Sequence, residues 1–153
     1  MKVTITNLAD DIKYLEEASE WIWEEWLKDA GFSLEDACYM SRHSICKDRI
    51  PQMYIAKLVD ELIGVAAIWT NDLKARQDLS PWLANLYVKR EYRNKGVGTM
   101  LQNRCIQATR EFRFERLYLI TDHEGYYEKT GWKFMETAPY RLGHYTRIYE
   151  LML

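Results

Sequence analysis

A turn with two glycines separates an apolar run from a long helical pattern, and this order restricts the fold more than any other part of the chain. Residues 83–88 are mainly apolar and predict a strand. Downstream, apolar residues recur mainly at spacings of three and four between Val97 and Phe112, as one buried helix face requires. The run at residues 116–121 predicts the next strand. Strands joined by a crossing helix pair in parallel, so we expect one parallel pair in the sheet.

The turn between this strand and this helix predicts an anion site. Amide N–H groups in the first helical turn lack intrahelical partners and lie at the positive end of the helix dipole. Gly96 and Gly98 remove the Cβ atoms that would hold a ligand away, and Arg93 and Lys95 add positive charge. The glycine spacing matches neither a Walker loop nor a dinucleotide fingerprint. The alternative is a basic turn without a ligand.

Two motifs together resemble the GNAT superfamily of N-acetyltransferases. The Arg-x-x-Gly-x-Gly of the turn is similar to the acetyl-CoA pyrophosphate loop of that family. Residues 126–132, Tyr-Tyr-Glu-Lys-Thr-Gly-Trp, resemble the family's Tyr-x-Lys-x-Gly-aromatic signature, which follows the fifth strand. The resemblance covers most of the chain, and residue-level matching extends from Asn85 to Trp132.

The order of elements predicts an α+β fold with a mixed, mostly antiparallel sheet of about seven strands and helices on both faces. The resemblance implies that the parallel fourth and fifth strands splay apart to admit the pantetheine arm. With no linker or repeat, residues 1–153 are expected to form a single N-acetyltransferase domain. The other predicted elements are a strand over 2–6, a helix from Leu8 to Gly31, a helix from a Ser33–Asp36 capping box to about Lys47, strands over 53–58 and 62–69, a short helix from a capping box at 121–124 to Lys129, a strand over 132–137 that ends before Pro139, and a last strand over 145–153.

The resemblance also assigns residues to the cofactor acetyl-CoA. The backbone of Leu86, Tyr87 and Val88 matches strand positions that pair with the pantetheine arm, although simple burial also explains Leu86 and Val88. The positions that match the pyrophosphate turn are Arg93, Asn94, Lys95, Gly96, Val97, Gly98 and Thr99.

The chemistry implied by the resemblance is transfer of acetyl to a primary amine by direct attack in a ternary complex. Tyr127 occupies the family's Tyr position and is expected to donate to the leaving thiolate; the alternative is a packing tyrosine. The strand N–H near Leu86 or Tyr87 is the expected oxyanion donor. An alkylammonium group has an ordinary pKa of about 10.4, so the site must also remove a proton. No motif assigns that base.

Three acidic residues, Asp122, Glu24 and Glu25, are candidates for the base, and Asp122 could equally be a helix cap. The first helix combines aromatic and acidic side chains that could hold a cationic amine, although packing and solvation explain them equally well. The candidate acceptor residues are Trp23, Glu25, Trp26, Trp82 and Asp122. The sequence does not distinguish a small-molecule amine from a peptide amine.

Composition excludes several classes of partner. A net charge of −2 and a pI near 6.0 argue against nucleic acid or an anionic membrane as the main partner. Three cysteines without ligand spacing predict no metal site and no disulfide framework, and they favour the cytoplasm. A homodimer through the C-terminal strand is an expectation that the sequence allows. The alternative function is a non-catalytic acyl-CoA-binding sensor or partner subunit.

Overall fold

One seven-stranded sheet with helices on both faces forms the protein, and the computed structural model describes all residues from Met1 to Leu153. The strands are β1 (Val3–Asn7), β2 (Gln52–Leu58), β3 (Glu61–Trp69), β4 (Trp82–Val88), β5 (Arg116–Thr121), β6 (Lys133–Arg141) and β7 (His144–Met152). The α-helices are α1 (Leu15–Ile22), α2 (Leu34–Ser41) and α3 (Val97–Glu111). The strand order across the sheet is β1-β2-β3-β4-β5-β7-β6.

Neighbouring strands are antiparallel except for β4 and β5, which are parallel. The parallel strands share one register pair, between Trp82 and Tyr118. Trp82 begins β4, so the two strands separate towards their carboxyl ends. The α+β class, the parallel pair and its splaying are therefore confirmed.

Two apolar clusters fix the helices against opposite faces of the sheet. On one face α3 contributes Val97, Leu101, Cys105 and Ala108, which pack against strand residues such as Ile63. On the other face Ala18 and Ile22 of α1 pack against β2 and β3. Both helices are thereby held beside the point where β4 and β5 separate.

The first predicted helix is shorter than expected. Two 3₁₀ turns, Leu8–Asp10 and Ile12–Tyr14, precede α1, and a π-helical turn over Trp23–Leu27 follows it. Asn7 Oδ1 accepts a hydrogen bond from the Ala9 N–H and caps the first of these turns, and the non-helical backbone of Asp11, with φ −152° and ψ 59°, separates the two turns.

The predicted capping box of the second helix is confirmed, but the helix ends early. The Asp36 N–H donates to Ser33 Oγ and the Ser33 N–H donates to Asp36 Oδ2. A 3₁₀ turn over Arg42–Ser44 replaces the expected last turns. There the Asn7 side chain donates to the Cys46 carbonyl and holds this segment against β1.

The capping box predicted at residues 121–124 is wrong. Thr121 Oγ1 accepts from the His123 N–H, and the Glu128 carboxylate accepts from the Gly125 N–H. Gly125 has φ +80°, a left-handed conformation that a continuous helix cannot include. The helical segment is consequently a 3₁₀ turn over Tyr127–Thr130.

Two expectations about the sheet edge are also wrong. β6 continues through Pro139 to Arg141, because an edge strand has one side on which no N–H donor is needed. The C-terminal strand β7 lies between β5 and β6, so both of its sides are paired. It cannot extend the sheet across a dimer; the free edges belong to β1 and β6.

We predict that Gly64→Ala destabilises the contact between β3 and α3. An added Cβ would lie 2.9 Å from Leu101 Cδ1 and 3.1 Å from the Tyr87 carbonyl oxygen. Overpacking of this kind costs about 1–3 kcal/mol of unfolding free energy, measurable by urea denaturation. In a Leu101→Ala background the same substitution should cost less, because one of the two close contacts is gone. Equal costs in both backgrounds would contradict the proposed steric cause.

Candidate active site

A cleft of about 1090 Å³ opens where β4 and β5 separate. Residues 83–86 and 119–123 of the two strands and the following turn form its floor. Its walls are formed by side chains from residues 25–32, from residues 69–74 at the end of β3 and in the loop that follows, and from the β6–β7 hairpin. The site thus combines segments that are distant in sequence.

The glycine turn leads into α3 with its amide groups unobstructed. Gly96 precedes the helix with φ +85°, and no side chain caps the helix. A Cβ added to Gly96 would meet no atom within 4 Å, so the space in front of this backbone is open. The N–H groups of Val97, Gly98 and Thr99 occupy the first turn, at the positive end of the dipole. Amide donors without obstructing Cβ atoms fit a pyrophosphate group.

Both predicted cations lie beside the turn, each against an aromatic ring. Arg93 Nε donates to the Val88 carbonyl at 2.8 Å, and its guanidinium lies 5.4 Å from the centre of the Tyr87 ring. Lys95 Nζ lies 5.7 Å from the centre of the Tyr92 ring. Asn94 has φ +59°, which completes the change of direction into the helix. The positive charges of Arg93 and Lys95 are therefore held at the end of β4, next to the start of α3.

The predicted strand positions Leu86, Tyr87 and Val88 have different surroundings. The Leu86 and Val88 side chains pack on the α3 face, and the Tyr87 ring lies 5.3 Å from that of Trp21 on the α1 face. Packing thus accounts for the Leu86 and Val88 side chains, in agreement with the alternative of simple burial. On the side that faces β5, however, the register pair at Trp82 is the only pairing. The backbone of residues 86–88 is free of a β5 partner.

Asn85 lies at the irregular point of β4 and is a site residue that the sequence analysis does not include. The pairing of β3 with β4 shifts register between Val65 and Ala67, and Asn85 opposite this shift has φ +53°. Asn is among the few non-glycine residues that tolerate this conformation. Its side chain lines the cleft, and its Nδ2 is buried without a hydrogen-bond partner. An asparagine inside a strand pattern was the signal available in the sequence.

Asp72 is the second residue that sequence reasoning missed. It follows β3 in a polar loop, is partly buried and lines the same cleft as Asn85. Burial raises the pKa of Asp72 to about 7, and no neighbouring cation or hydrogen bond offsets this effect. The carboxyl group can therefore exchange a proton near neutral pH. Nothing in the local sequence distinguishes it from an ordinary loop aspartate.

Tyr127 lines the cleft and is also packed among aromatic rings. Its ring centre lies 4.8 Å from that of Tyr126, 6.1 Å from that of Trp132 and 6.2 Å from that of Tyr149. Burial, followed by the neighbouring Tyr126, raises the pKa of Tyr127 to about 12. The phenol consequently keeps its proton at neutral pH. Packing and access to the cleft are compatible here.

Three of the five predicted acceptor residues line the cleft, namely Glu25, Trp26 and Asp122. Asp122 lies 3.3 Å from His144 Nε2 and caps no helix, so its alternative role as a cap is wrong. Glu24, one of the candidate bases, does not line the cleft, whereas Glu25 does.

The remaining two acceptor candidates have structural roles. Trp23 Nε1 donates to the Phe32 carbonyl at 2.7 Å, which closes the segment after α1. Trp82 is fully buried, and its Nε1 donates to the Leu79 carbonyl at 2.7 Å. Neither residue lines the cleft, because both rings are used for packing and for satisfying backbone carbonyls.

No group of three or more His, Cys, Asp or Glu side chains is arranged to hold a metal ion. No helix is long and apolar enough to cross a membrane.

The described fold matches known acetyltransferases. An aminoglycoside 6'-N-acetyltransferase complexed with coenzyme A has a TM-score of 0.76 at 15% identity, with 99% of this chain and 97% of that chain covered. A type Ii aminoglycoside 6'-acetyltransferase has a TM-score of 0.74 at 18% identity, with 99% and 97% covered. PaiA N-acetyltransferase from Thermoplasma acidophilum, in complex with coenzyme A, has a TM-score of 0.63 at 19% identity, with both chains fully covered at 100%. At these identities the likeness shows a common fold.

The sequence itself gives the family. No curated protein matches the chain. The model of the acetyltransferase (GNAT) family matches residues 15–132, a range that includes the parallel strand pair, the glycine turn and Tyr127. GNAT enzymes use acetyl-CoA as their cosubstrate. The family match spans most of the chain, and the protein therefore belongs to the acetyltransferase (GNAT) family.

Proposed function

We propose that this protein transfers an acetyl group from acetyl-CoA to a primary amine by direct attack in a ternary complex. The main support is that one cleft contains two groups with complementary proton affinities, Asp72 and Tyr127. The pKa of Asp72 is raised to about 7, whereas that of Tyr127 is raised to about 12. A carboxyl group that exchanges its proton near neutral pH is suited to act as a base, and a phenol that stays protonated there is suited to donate a hydrogen bond to a leaving group.

In this proposal the donor end of the site is built from backbone. The turn from Arg93 to Thr99 binds the pyrophosphate through amide N–H groups, with the two cations beside it. The backbone of Leu86, Tyr87 and Val88 pairs with the pantetheine arm, in place of the β5 ladder that ends at Trp82. An N–H of Leu86 or Tyr87 stabilises the developing oxyanion. When bound, acetyl-CoA supplies an activated thioester.

Asp72 is the proposed base. An ammonium acceptor must lose a proton before its nitrogen can attack, and a carboxylate with a pKa near 7 is ionised to a useful degree at neutral pH. Asp72 replaces Asp122 and Glu25 as the first candidate, because Asp72 is partly buried in the cleft whereas Asp122 and Glu25 are exposed. Glu25 and Asp122 remain candidates for holding the acceptor.

Tyr127 is the proposed acid. The leaving thiolate has an ordinary thiol pKa of about 8.5, so a protonated phenol can donate a hydrogen bond to it. The Trp132 and Tyr149 rings beside Tyr127 restrict its orientation. Tyr127 lines the cleft, where a hydroxyl serves this purpose, and a non-catalytic binder would not need one.

The acceptor in this proposal is a small-molecule amine that is cationic before reaction. Trp26 and Glu25 on one wall of the cleft combine a ring face with a carboxylate, an arrangement suited to an ammonium group. Two proteins of similar fold acetylate aminoglycosides, as their names state. We therefore expect compact amines to be better acceptors than peptide N-termini or lysine side chains.

A thiol-release assay with acetyl-CoA across a panel of amines tests the function. The panel should contain aminoglycosides, polyamines, simple alkylamines and lysine peptides at equal concentration. Turnover of any compact amine with formation of its N-acetyl product, identified by mass spectrometry, supports the proposal. Tight CoA binding with no turnover across the panel would instead identify a non-catalytic acyl-CoA sensor or partner subunit.

Replacing the base should change the pH profile of the reaction. In the wild-type protein kcat/KM should rise through an apparent pKa near 7, because Asp72 becomes ionised there. Asp72→Asn should lower kcat/KM by about 10²–10⁴-fold and abolish the rise of kcat/KM near pH 7. The pH dependence that is left should reflect only the ionisation of the amine substrate. If kcat/KM of the variant still rises near pH 7, another group is the base. Asp78→Asn, on the same loop but paired with Arg76, is the matched control.

The same substitution should change stability in a pH-dependent way. The carboxyl group of Asp72 has a pKa of about 7 in the folded protein against an ordinary value of 3.8, so the unfolded chain loses its proton first. This group therefore lowers the free energy of unfolding as pH rises from about 4 to about 7. We expect Asp72→Asn to be more stable relative to wild type at pH 8 than at pH 4, as measured by urea denaturation. An equal difference at both pH values would contradict the raised pKa.

Removing the proposed acid should reduce turnover without preventing cofactor binding. Tyr127→Phe keeps the ring packing and removes only the hydroxyl, so we expect kcat to fall by about 10²-fold or more. The CoA dissociation constant, measured by calorimetry, should change by less than about twofold, since the hydroxyl is not assigned to the phosphates. Tyr39→Phe, an exposed tyrosine on α2, controls for the loss of a hydroxyl. An unchanged kcat in Tyr127→Phe would show that Tyr127 has a packing role only.

A further inference from the structure

Tyr126 lies next to Tyr127 but is directed to a different part of the molecule. The two rings meet edge to face, with an interplanar angle of 89°. Tyr127 lines the cleft, whereas Tyr126 does not and is 49% exposed. The exposed side of Tyr126 is accessible to a ligand that lies outside the cleft.

The Tyr126 hydroxyl reaches the first turn of α3. A Cβ built on Gly98 would lie 3.8 Å from Tyr126 Oη, so the phenol oxygen adjoins the backbone that begins the helix. The side-chain hydrogen bonds of the turn around Tyr126 are made by Glu128 and Thr130. The hydroxyl thus lies beside Gly98 in the first turn of α3, the turn whose N–H groups are assigned in our proposal to the pyrophosphate of the cosubstrate.

We infer that Tyr126 is a cofactor-binding residue that donates a hydrogen bond from its hydroxyl to the pyrophosphate of acetyl-CoA. A phenol O–H is a good donor to an anionic oxygen, and such charge-assisted bonds are stronger than neutral ones. The N–H groups of the turn approach the phosphates from the helix side. Tyr126 approaches from the segment that follows β5, and it completes the phosphate site from the opposite element.

The inference gives adjacent tyrosines separate functions at the two ends of one ligand. Tyr127 is partly buried, keeps its proton and lines the cleft; Tyr126 is exposed and adjoins Gly98. Because the rings are in contact, the phosphate end and the sulfur end of the cofactor are joined through one short turn. The role of Tyr126 rests on the proposed use of acetyl-CoA as the donor, and it does not depend on which amine is acetylated.

The test compares ligands that contain or lack the pyrophosphate. Dissociation constants of Tyr126→Phe and wild type are measured by calorimetry with CoA, with 3'-dephospho-CoA and with pantetheine, which lacks both phosphates of the pyrophosphate. We expect Tyr126→Phe to bind CoA and 3'-dephospho-CoA about five- to tenfold more weakly and to bind pantetheine unchanged. The ring is retained in this variant, so its contact with Tyr127 is preserved. Tyr39→Phe should bind all three ligands as wild type does.

A kinetic measurement adds a second readout. With a working amine, the KM for acetyl-CoA should rise in Tyr126→Phe while kcat stays within about twofold of wild type. Equal CoA affinity in variant and wild type, or an equal loss for pantetheine, would overturn the inference and leave the proposed transferase activity intact. Absence of CoA binding to the wild-type protein would overturn both.

Discussion

The pairing of β4 with β5 at one end only shapes the sheet, the cleft and the candidate site. Trp82 and Tyr118 form the one register pair, and their rings lie 5.6 Å apart in the core. The Trp82 indole donates to the Leu79 carbonyl, and the Tyr118 N–H donates to the Pro81 carbonyl. The strands are therefore fixed at one end only. Beyond this point they diverge, and the cleft is the space between them.

Divergence leaves strand backbone without a partner at the centre of the sheet, where unpaired N–H and C=O groups are costly unless water or a ligand satisfies them. The helices make this arrangement stable, because α3 packs on one face and α1 on the other. An extended ligand with amide groups can complete the pairing of β4. Asn85, with its left-handed backbone and its unpartnered amide nitrogen, lies at the point where the pairing of β4 with β3 shifts register. The irregular backbone thus lies next to the strand positions that we propose to pair with the pantetheine arm.

Much of the fold followed from local patterns. The strands, the long helix α3, the Ser33–Asp36 capping box and the parallel pair were predictable because each depends on residues close in sequence. The capping box at residues 121–124 failed because the left-handed Gly125 interrupts it. The predicted strand end before Pro139 failed because the sequence does not reveal that β6 lies at the edge of the sheet. Position in the sheet is a tertiary property.

The candidate site likewise has one half that could be predicted from the sequence and one half that could not. The donor half could be predicted, because the glycine turn, the helix start and Tyr127 lie in two short segments whose spacing is characteristic. The acceptor half could not, because folding brings Glu25 and Asp72 to one cleft and leaves Trp23 and Trp82 outside it. The raised pKa of Asp72 was equally unpredictable, since that shift comes from burial in the folded chain. Backbone conformation is encoded locally, whereas the surroundings of a side chain depend on what the folded chain places around it.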